Sequence, residues 1–224
     1  MEESVNIFDE HLESKYDFVL NDKIGGNSGN CGVIQHCIMK NKETEESTNV
    51  VLKSLKITED NDEIEVNTEQ FNNEVKFFVL IHQKPEMNHE SIVKCFGMAE
   101  IGGEKCIVLE DLEDYITLED LLKEQEKYAH KVDMLTEATE RLKKVREHYC
   151  NNYISHQDLH GGNIMINPET GDVKIIDFGC FIKDTNKQNK MFFYNTDEDN
   201  IRQAIENINK IIEVQQTKLV GCNH

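Results

Sequence analysis

The chain has 224 residues, of which 38% are hydrophobic and 30% are charged, and its formal net charge is −19. This length allows a substantial core, either in one large domain or in two smaller lobes. The negative charge argues against non-specific nucleic-acid binding, because phosphate backbones are bound through lysine and arginine patches. We expect the charge to keep the surface solvated, with attraction to a basic partner as the alternative.

The cysteine pattern and the lack of long apolar segments favour a cytosolic protein. Seven cysteines are dispersed and form no CxxC pair, which is typical of reduced, mostly buried thiols in the cytosol. The acidic N-terminus has no apolar signal-peptide region, and no run of about 18 apolar residues occurs. We therefore expect no membrane segment, and secretion would need a route without a recognisable signal peptide.

The N-terminal third of the sequence predicts an acidic arm followed by three strands. Residues 1–15 are acidic and sparsely apolar, as in a mobile arm. Polar and apolar residues alternate from Tyr16, which predicts a strand that the glycine-rich segment 24–32 interrupts. Two further strands follow, the second over residues 50–53, and the three should form an antiparallel sheet. A glycine-rich turn at the tip of such a sheet can present backbone N–H groups to phosphates.

A helix and two more strands follow. The acidic segment 57–69 is predicted to be a loop that leads into a helix over residues 71–81, where the apolar spacing is helical. Glu74 lies beside the apolar face of this helix and can point towards the sheet. Strands are predicted over residues 92–99 and 105–109.

A polar break at residues 110–112 fits a linker, and beyond it the apolar period changes from about 2 to about 3.6, the helical value. A short helix is predicted after Thr117, where the spacing resembles a capping box. A longer helix is predicted over residues 132–149. Near the C-terminus, a polar loop should run to about residue 195, before a last helix over residues 201–212.

The densest polar chemistry lies between the long helix and the polar loop. Residues 164–166 and 173–176 predict a β-hairpin, which places Asn163 and Asp177 together at its open end. Asp158 lies on the loop just before it. Two oxygen ligands beside a further carboxylate suit Mg²⁺, which prefers a few protein oxygens together with phosphate and water.

Three features of the first half resemble the motifs of protein kinases. The segment N-S-G-N-C-G-V-I at residues 27–34 resembles the glycine-rich loop G-x-G-x-x-G-x-V, with Asn27 in place of the first glycine. The segment V-V-L-K at residues 50–53 is similar to V-A-I-K. Glu74 falls where the glutamate of the kinase αC helix is expected.

Two features of the second half complete the resemblance. The segment H-Q-D-L-H-G-G-N at residues 156–163 resembles H-R-D-L-x-x-x-N, and Asp177 opens the triplet D-F-G. The resemblance covers about residues 16–180, and its strength lies in the order of five motifs.

The resemblance implies a bilobal α+β fold of the protein-kinase type. A five-stranded antiparallel sheet and the αC helix would form the N-lobe, and a truncated, mostly helical part would form the C-lobe. The implied domains are the acidic arm at 1–15, the N-lobe at 16–111 and the reduced C-lobe at 112–224.

The resemblance also implies a site that uses ATP and Mg²⁺. Lys53, held by Glu74, would hold the α- and β-phosphates. Asn163 and Asp177 would bind Mg²⁺, and Asp158 would orient the acceptor hydroxyl and accept its proton. The other implied nucleotide contacts are the glycine-rich loop at Asn27, Gly29 and Gly32, the apolar walls Ile24, Ile34, Val51, Leu112 and Met165, and the linker backbone from Glu110 to Leu112.

Three departures from the family pattern bear on regulation and substrate. Gln157 replaces the arginine that pairs with a phosphorylated activation loop in many kinases, so we expect no switching by that pairing. His160 stands where Ser/Thr kinases usually have lysine, and the same arrangement occurs in small-molecule kinases. Only 45 residues follow Gly179, without A-P-E, so the usual peptide-docking platform is not expected.

The shortened pattern most resembles minimal Ser/Thr kinases that pathogenic bacteria deliver into host cells. On that reading the chain is a monomeric cytosolic virulence effector that phosphorylates, or is activated by, a host protein. One alternative is a small-molecule kinase of the aminoglycoside or choline phosphotransferase type, which His160 favours. Another is a pseudokinase scaffold, against which the intact Lys53, Asp158, Asn163 and Asp177 argue.

Overall fold

The computed structural model describes residues 12–23, 32–183 and 190–221. The chain forms two compact units, the first from Met1–Asn88 and Val93–Asp111 and the second from His89–Ile92 and Leu112–His224. The domain limits drawn from the sequence stay predictions. No helix within the described ranges has the length and apolarity needed to cross a membrane.

The first unit is built on a five-stranded antiparallel sheet with the strand order β1-β2-β3-β5-β4, which confirms the predicted sheet. Its strands are β1 (Tyr16–Lys23), β2 (Gly32–Asn41), β3 (Ser47–Leu55), β4 (Cys95–Ile101) and β5 (Glu104–Glu110). The prediction that β4 begins at residue 92 is wrong. Ile92 instead forms an isolated parallel bridge with Ile175 within the second unit.

The two faces of this sheet differ because successive side chains of a strand point to opposite sides. One face carries a buried core cluster against which Tyr16, Phe18 and Phe96 pack. The members of the cluster are Cys37, Met39, Val50, Leu52, Ala99, Cys106 and Val108. The residues between the cluster members, among them Ile34, Val51 and Lys53, lie on the opposite face of the sheet. On that face Ile34 of β2 is directly opposite Lys53 of β3.

Helix α1 (Asn61–Gln83) is longer than predicted, so the expected loop over residues 57–69 is wrong. The Asp60 carboxylate accepts hydrogen bonds from the N–H groups of Asp62 and Glu63 and thereby caps the helix. Carboxylates in a first turn also interact favourably with the helix dipole. The acidic segment is therefore a helix start, and sequence periodicity missed it because its residues are mostly exposed.

The second unit is mostly helical and contains small antiparallel sheets. Its helices are α2 (Leu118–Lys123), α3 (Gln125–Tyr128), α4 (Val132–Asn152) and α5 (Lys190–Gly221). Its strands are β6 (Ile116–Thr117), β7 (Ile154–Ser155), β8 (Ile164–Ile166), β9 (Val173–Ile175) and β10 (Ile182–Lys183). Strands β8 and β9 form the predicted hairpin, and β6 extends it into a three-stranded sheet in the order β6-β8-β9.

Helices α4 and α5 pack on each other through apolar faces. The buried side chains of α4 include Leu135, Leu142 and Val145, and those of α5 include Ile201 and Ile208. The expected loop to about residue 195 is wrong, because α5 begins at Lys190. A polar run at residues 195–200 separates the apolar residues 191–194 from the helical spacing that begins at Ile201, and Asp197 in this run belongs to the candidate site.

The five cysteines within the described residues are free, in agreement with the predicted reduced thiols. Burial raises the pKa of Cys37 and Cys106 to about 11 and that of Cys95 to about 12. These thiols are therefore protonated near neutral pH and act as small apolar groups. Cys37 and Cys106 are buried, Cys95 and Cys180 are half-buried and Cys150 is exposed, so the expectation of mostly buried thiols holds for only two of these five.

Candidate active site

Lys53 and Glu74 form a buried ion pair inside the first unit. Lys53 Nζ lies 2.5 Å from Glu74 Oε2, and the two residues are only 8% and 1% exposed. Lys53 is presented by β3 and Glu74 by the sheet-facing side of α1. A lysine fixed in this way has a defined position, which is what an anionic ligand such as phosphate requires.

Gly32 leaves room for the lysine. A Cβ atom added at Gly32 would lie 3.1 Å from Lys53 Cε and 3.2 Å from the Ser54 carbonyl oxygen. A side chain at this position would therefore press on the stem of Lys53. The other predicted members of the glycine-rich loop and its wall, Ile24, Asn27 and Gly29, lie outside the described residues.

The predicted apolar walls are found in both units. Ile34 and Val51 are half-buried on the same sheet face as Lys53. Leu112 and Met165 are half-buried in the second unit, where Met165 pairs with Thr117 and Lys174 in the β6-β8-β9 sheet.

The predicted linker is held by side-chain contacts within the first unit. The Glu110 carboxylate accepts a hydrogen bond from the Lys94 N–H at 2.7 Å, and the Glu110 N–H donates to the Lys94 carbonyl at 2.9 Å. His36 Nδ1 lies 2.9 Å from Asp111 Oδ2, which ties the end of the linker to β2. Glu110 therefore has its side chain turned towards Lys94, and its own amide is already engaged.

The hairpin brings Asn163 next to the residue that precedes Asp177. The Ile176 N–H donates to the Asn163 carbonyl at 3.1 Å, continuing the β8-β9 ladder by one step. Asp177 follows in the left-handed region at φ 64° and ψ 70° and begins a 3₁₀ turn, Phe178–Cys180. A non-glycine residue in this region is strained, and such strain is concentrated at functional positions.

The amide of Asn163 is oriented by Asp158. Asn163 Nδ2 donates to the Asp158 carbonyl at 2.8 Å and lies 3.5 Å from its carboxylate. The amide oxygen of Asn163 is therefore left as the acceptor, and together with the Asp177 carboxylate it offers two hard oxygen donors. The described ranges contain no cluster of three or more His, Cys, Asp or Glu side chains of the kind that holds a metal by protein ligands alone. Two protein oxygens, from Asn163 and Asp177, still fit Mg²⁺, because this ion retains waters and phosphate oxygens as its other ligands.

Asp158 combines exposure with a fixed backbone. Its side chain is 53% exposed, so its carboxylate is open to an acceptor group. The Asp158 carbonyl accepts the hydrogen bond from the Asn163 side chain. The preceding residue, Gln157, has a left-handed backbone conformation at φ 66°. An exposed carboxylate on a rigid loop has the geometry of a general base.

His156 packs against the D-F-G turn and hydrogen-bonds to the residue that precedes it. The residue is fully buried, its Nε2 lies 2.9 Å from the Ile176 carbonyl, and its ring lies 4.8 Å from that of Phe178. Burial lowers the pKa of His156, so the ring is neutral and donates through Nε2. His156 therefore positions the residues around Asp177.

Asp197 is a site residue that the sequence analysis missed. It is 3% exposed on α5, and its carboxylate accepts hydrogen bonds from Ser155 Oγ at 2.8 Å, the His156 N–H at 2.5 Å and the Gln157 N–H at 3.2 Å. These bonds fix the three residues that lead into Asp158. Nothing in the acidic segment around Asp197 distinguishes it from solvated carboxylates, so only the tertiary contact identifies it.

We expect Asp197→Ala to lower the free energy of unfolding by roughly 2–4 kcal/mol, because buried donors lose a charged acceptor. The rate of any reaction in which Asp158 takes part should fall by about 10- to 100-fold as the loop before Asp158 shifts. Urea unfolding and steady-state rates measure the two effects. The matched control is Asp199→Asn, which removes an exposed carboxylate paired with Arg202 and should change neither. A wild-type unfolding free energy and rate for Asp197→Ala would show that the hydrogen bonds to the Asp197 carboxylate are dispensable.

Comparison with known proteins places these motifs in one family. The family model described as protein kinase domain matches residues 18–211, which includes every described site residue discussed above. A search among curated proteins gives no match.

Proposed function

This chain belongs to the protein kinase family, and from that premise we propose that it is an ATP- and Mg²⁺-dependent kinase acting on serine or threonine hydroxyls of a protein. The observation that supports catalysis most directly is the buried pair of Lys53 and Glu74 at 2.5 Å. Desolvating two charges costs free energy that their mutual attraction offsets only in part, and a scaffold that only binds partners has no physical need for such a pair.

The proposed division of labour follows from the chemistry of phosphoryl transfer. The acceptor hydroxyl oxygen forms a bond to the γ-phosphorus while the bond to the bridging oxygen breaks and ADP leaves. Asp158 orients the hydroxyl and accepts its proton. Lys53, held by Glu74, offsets the charge of the α- and β-phosphates. Mg²⁺, when held by Asn163 and Asp177, supplies further neutralisation of phosphate charge.

The remaining nucleotide contacts are part of the same proposal. Ile34, Val51, Leu112 and Met165 offer half-buried apolar surface for the adenine ring. The linker from Glu110 to Leu112 would contribute backbone groups, and the side chain of Glu110 would not take part because it is turned to Lys94.

Internal contacts support a kinase that needs no activation-loop phosphate. Gln157 replaces the arginine that would bind such a phosphate. Its N–H donates to Asp197, and its side-chain amide donates to Ser155 Oγ, so the loop is held from within the second unit. We propose that activity is constitutive or depends on a host protein, as in the delivered effector kinases that the sequence resembles.

The test is phosphate transfer from labelled ATP with Mg²⁺. Purified protein is incubated alone, with a host-cell lysate, or with a panel of aminoglycosides and choline. We expect labelled protein bands that disappear with Asp177→Ala. Label on a small molecule would favour the small-molecule kinase, for which His160 is the supporting residue. Bound nucleotide without transfer in any arm would leave the pseudokinase scaffold.

A further inference from the structure

His160 is a second histidine in the loop around Asp158, and its contacts differ from those of His156. It is exposed, and its Nδ1 accepts a hydrogen bond from the Gly162 N–H at 3.0 Å. The side chain thereby caps the 3₁₀ turn Gly161–Asn163. The His160 carbonyl also accepts from the Asn163 N–H at 2.9 Å. The side chain and the backbone carbonyl of His160 therefore both stabilise the turn that contains Asn163.

The cap determines which ring nitrogen bears the proton. Because Nδ1 accepts from an N–H group, it must carry the lone pair, so the proton of the neutral ring is on Nε2. Nε2 is the nitrogen that lies 3.9 Å from Asp158 Oδ2. This distance is longer than a hydrogen bond, so the ring nitrogen and the carboxylate are neighbours that are not directly bonded in this geometry. The ring thus presents a donor to the carboxylate of the proposed base.

The turn is shaped to admit this ring. A Cβ atom added at Gly162 would lie 2.8 Å from His160 Cε1 and 3.0 Å from its Nδ1. A Cβ atom added at Gly161 would lie 3.3 Å from the backbone nitrogen of Glu119, so α2 packs against the other side of the turn. The two glycines therefore leave space for the imidazole on one side and for α2 on the other.

We propose that His160 is a positioning residue whose imidazole joins the turn of Asn163 to the Asp158 carboxylate. Through Nδ1 it fixes the turn that ends at Asn163, and through Nε2–H it restrains the carboxylate of Asp158. The inference rests on the proposed function of both residues. It gives His160 a role that a lysine at this position would not fill, because an ammonium group has no acceptor for the Gly162 N–H.

Three variants separate the two contacts. His160→Asn retains a side-chain acceptor for the cap but removes the donor near Asp158. His160→Ala removes both. Gly162→Ala retains the histidine but displaces its ring. His130→Asn, a change at an exposed histidine elsewhere in the second unit, is the matched control.

The kinetic expectations differ between the variants. His160→Asn should lower kcat by about tenfold with an unchanged KM for ATP, since only the restraint on Asp158 is lost. His160→Ala and Gly162→Ala should lower kcat further and also raise the Mg²⁺ concentration needed for half-maximal rate. His130→Asn should match wild type. A kcat within twofold of wild type for His160→Asn or His160→Ala would overturn the proposal.

Two measurements do not depend on turnover, so they test the role of His160 even if no acceptor is phosphorylated. A failure to phosphorylate any acceptor would count against the proposed function instead. NMR of the imidazole nitrogens should show His160 as the Nε2–H tautomer, assigned by its loss in His160→Asn. A protonated Nδ1 in the neutral ring would contradict the hydrogen bond from the Gly162 N–H.

The rise in Tm produced by ATP with Mg²⁺ should be smaller in His160→Ala and Gly162→Ala than in wild type and His160→Asn. Equal rises in all four would overturn the link to Asn163.

Discussion

An Asp158→Asn variant is expected to transfer phosphate about 10²- to 10⁴-fold more slowly than wild type, the range that general bases contribute. Asparagine has the same shape but does not accept the hydroxyl proton. The loss should fall on kcat, with ATP affinity little changed, because the side chain is assigned to the acceptor. Single-turnover transfer from labelled ATP measures the effect.

The fold should tolerate this change, because Asp158 is 53% exposed and the bond from Asn163 goes to its backbone carbonyl. Urea unfolding is expected to match wild type within about 0.5 kcal/mol, as for most surface substitutions. Asp133→Asn, the same charge change at an exposed position on α4, is the control for net charge. A wild-type kcat for Asp158→Asn would remove the residue from the mechanism.

A Lys53→Met variant is expected to lose activity and stability together. Removing a fixed cation from a phosphate site costs about 10²- to 10³-fold in rate, by analogy with other preorganised electrostatic groups. Glu74, at 1% exposure, would then be a buried carboxylate without its lysine. Breaking a buried pair in this way destabilises proteins by roughly 3–5 kcal/mol.

The double variant Lys53→Met/Glu74→Gln separates the two losses. It removes the buried charge, so much of the stability should return while activity stays low. Urea unfolding and steady-state kinetics of wild type, Lys53→Met, Glu74→Gln and the double variant form a double-mutant cycle. Lys56→Met breaks the exposed pair with Glu63 and should cost less than about 1 kcal/mol. Full activity in the double variant would show that Lys53 has no role in binding phosphate.

Several structural features were predictable because they depend on local sequence. Short apolar segments predicted the five strands, and the apolar residues 164–166 and 173–176 predicted the hairpin that carries Asn163. The start of α1 was not predictable in the same way, because its first turn is stabilised by the Asp60 cap and not by an apolar face. The beginning of α5 was missed because the polar run at residues 195–200 interrupts its apolar spacing.

The sequence by itself identified the chemistry of this protein: an ordered set of lysine, glutamate, asparagine and aspartate residues that belong to the protein kinase pattern. Residue type and spacing suffice for that, since they are properties of the chain. The resemblance also implied that Glu74 holds Lys53, and the structure shows these two side chains paired across 21 positions. Only the tertiary structure brings Asp197 to the loop of Asp158, from 39 positions away. A carboxylate in a sequence has no exposure or partner of its own, so only folding distinguishes the buried acceptor Asp197 from its exposed neighbour Asp199.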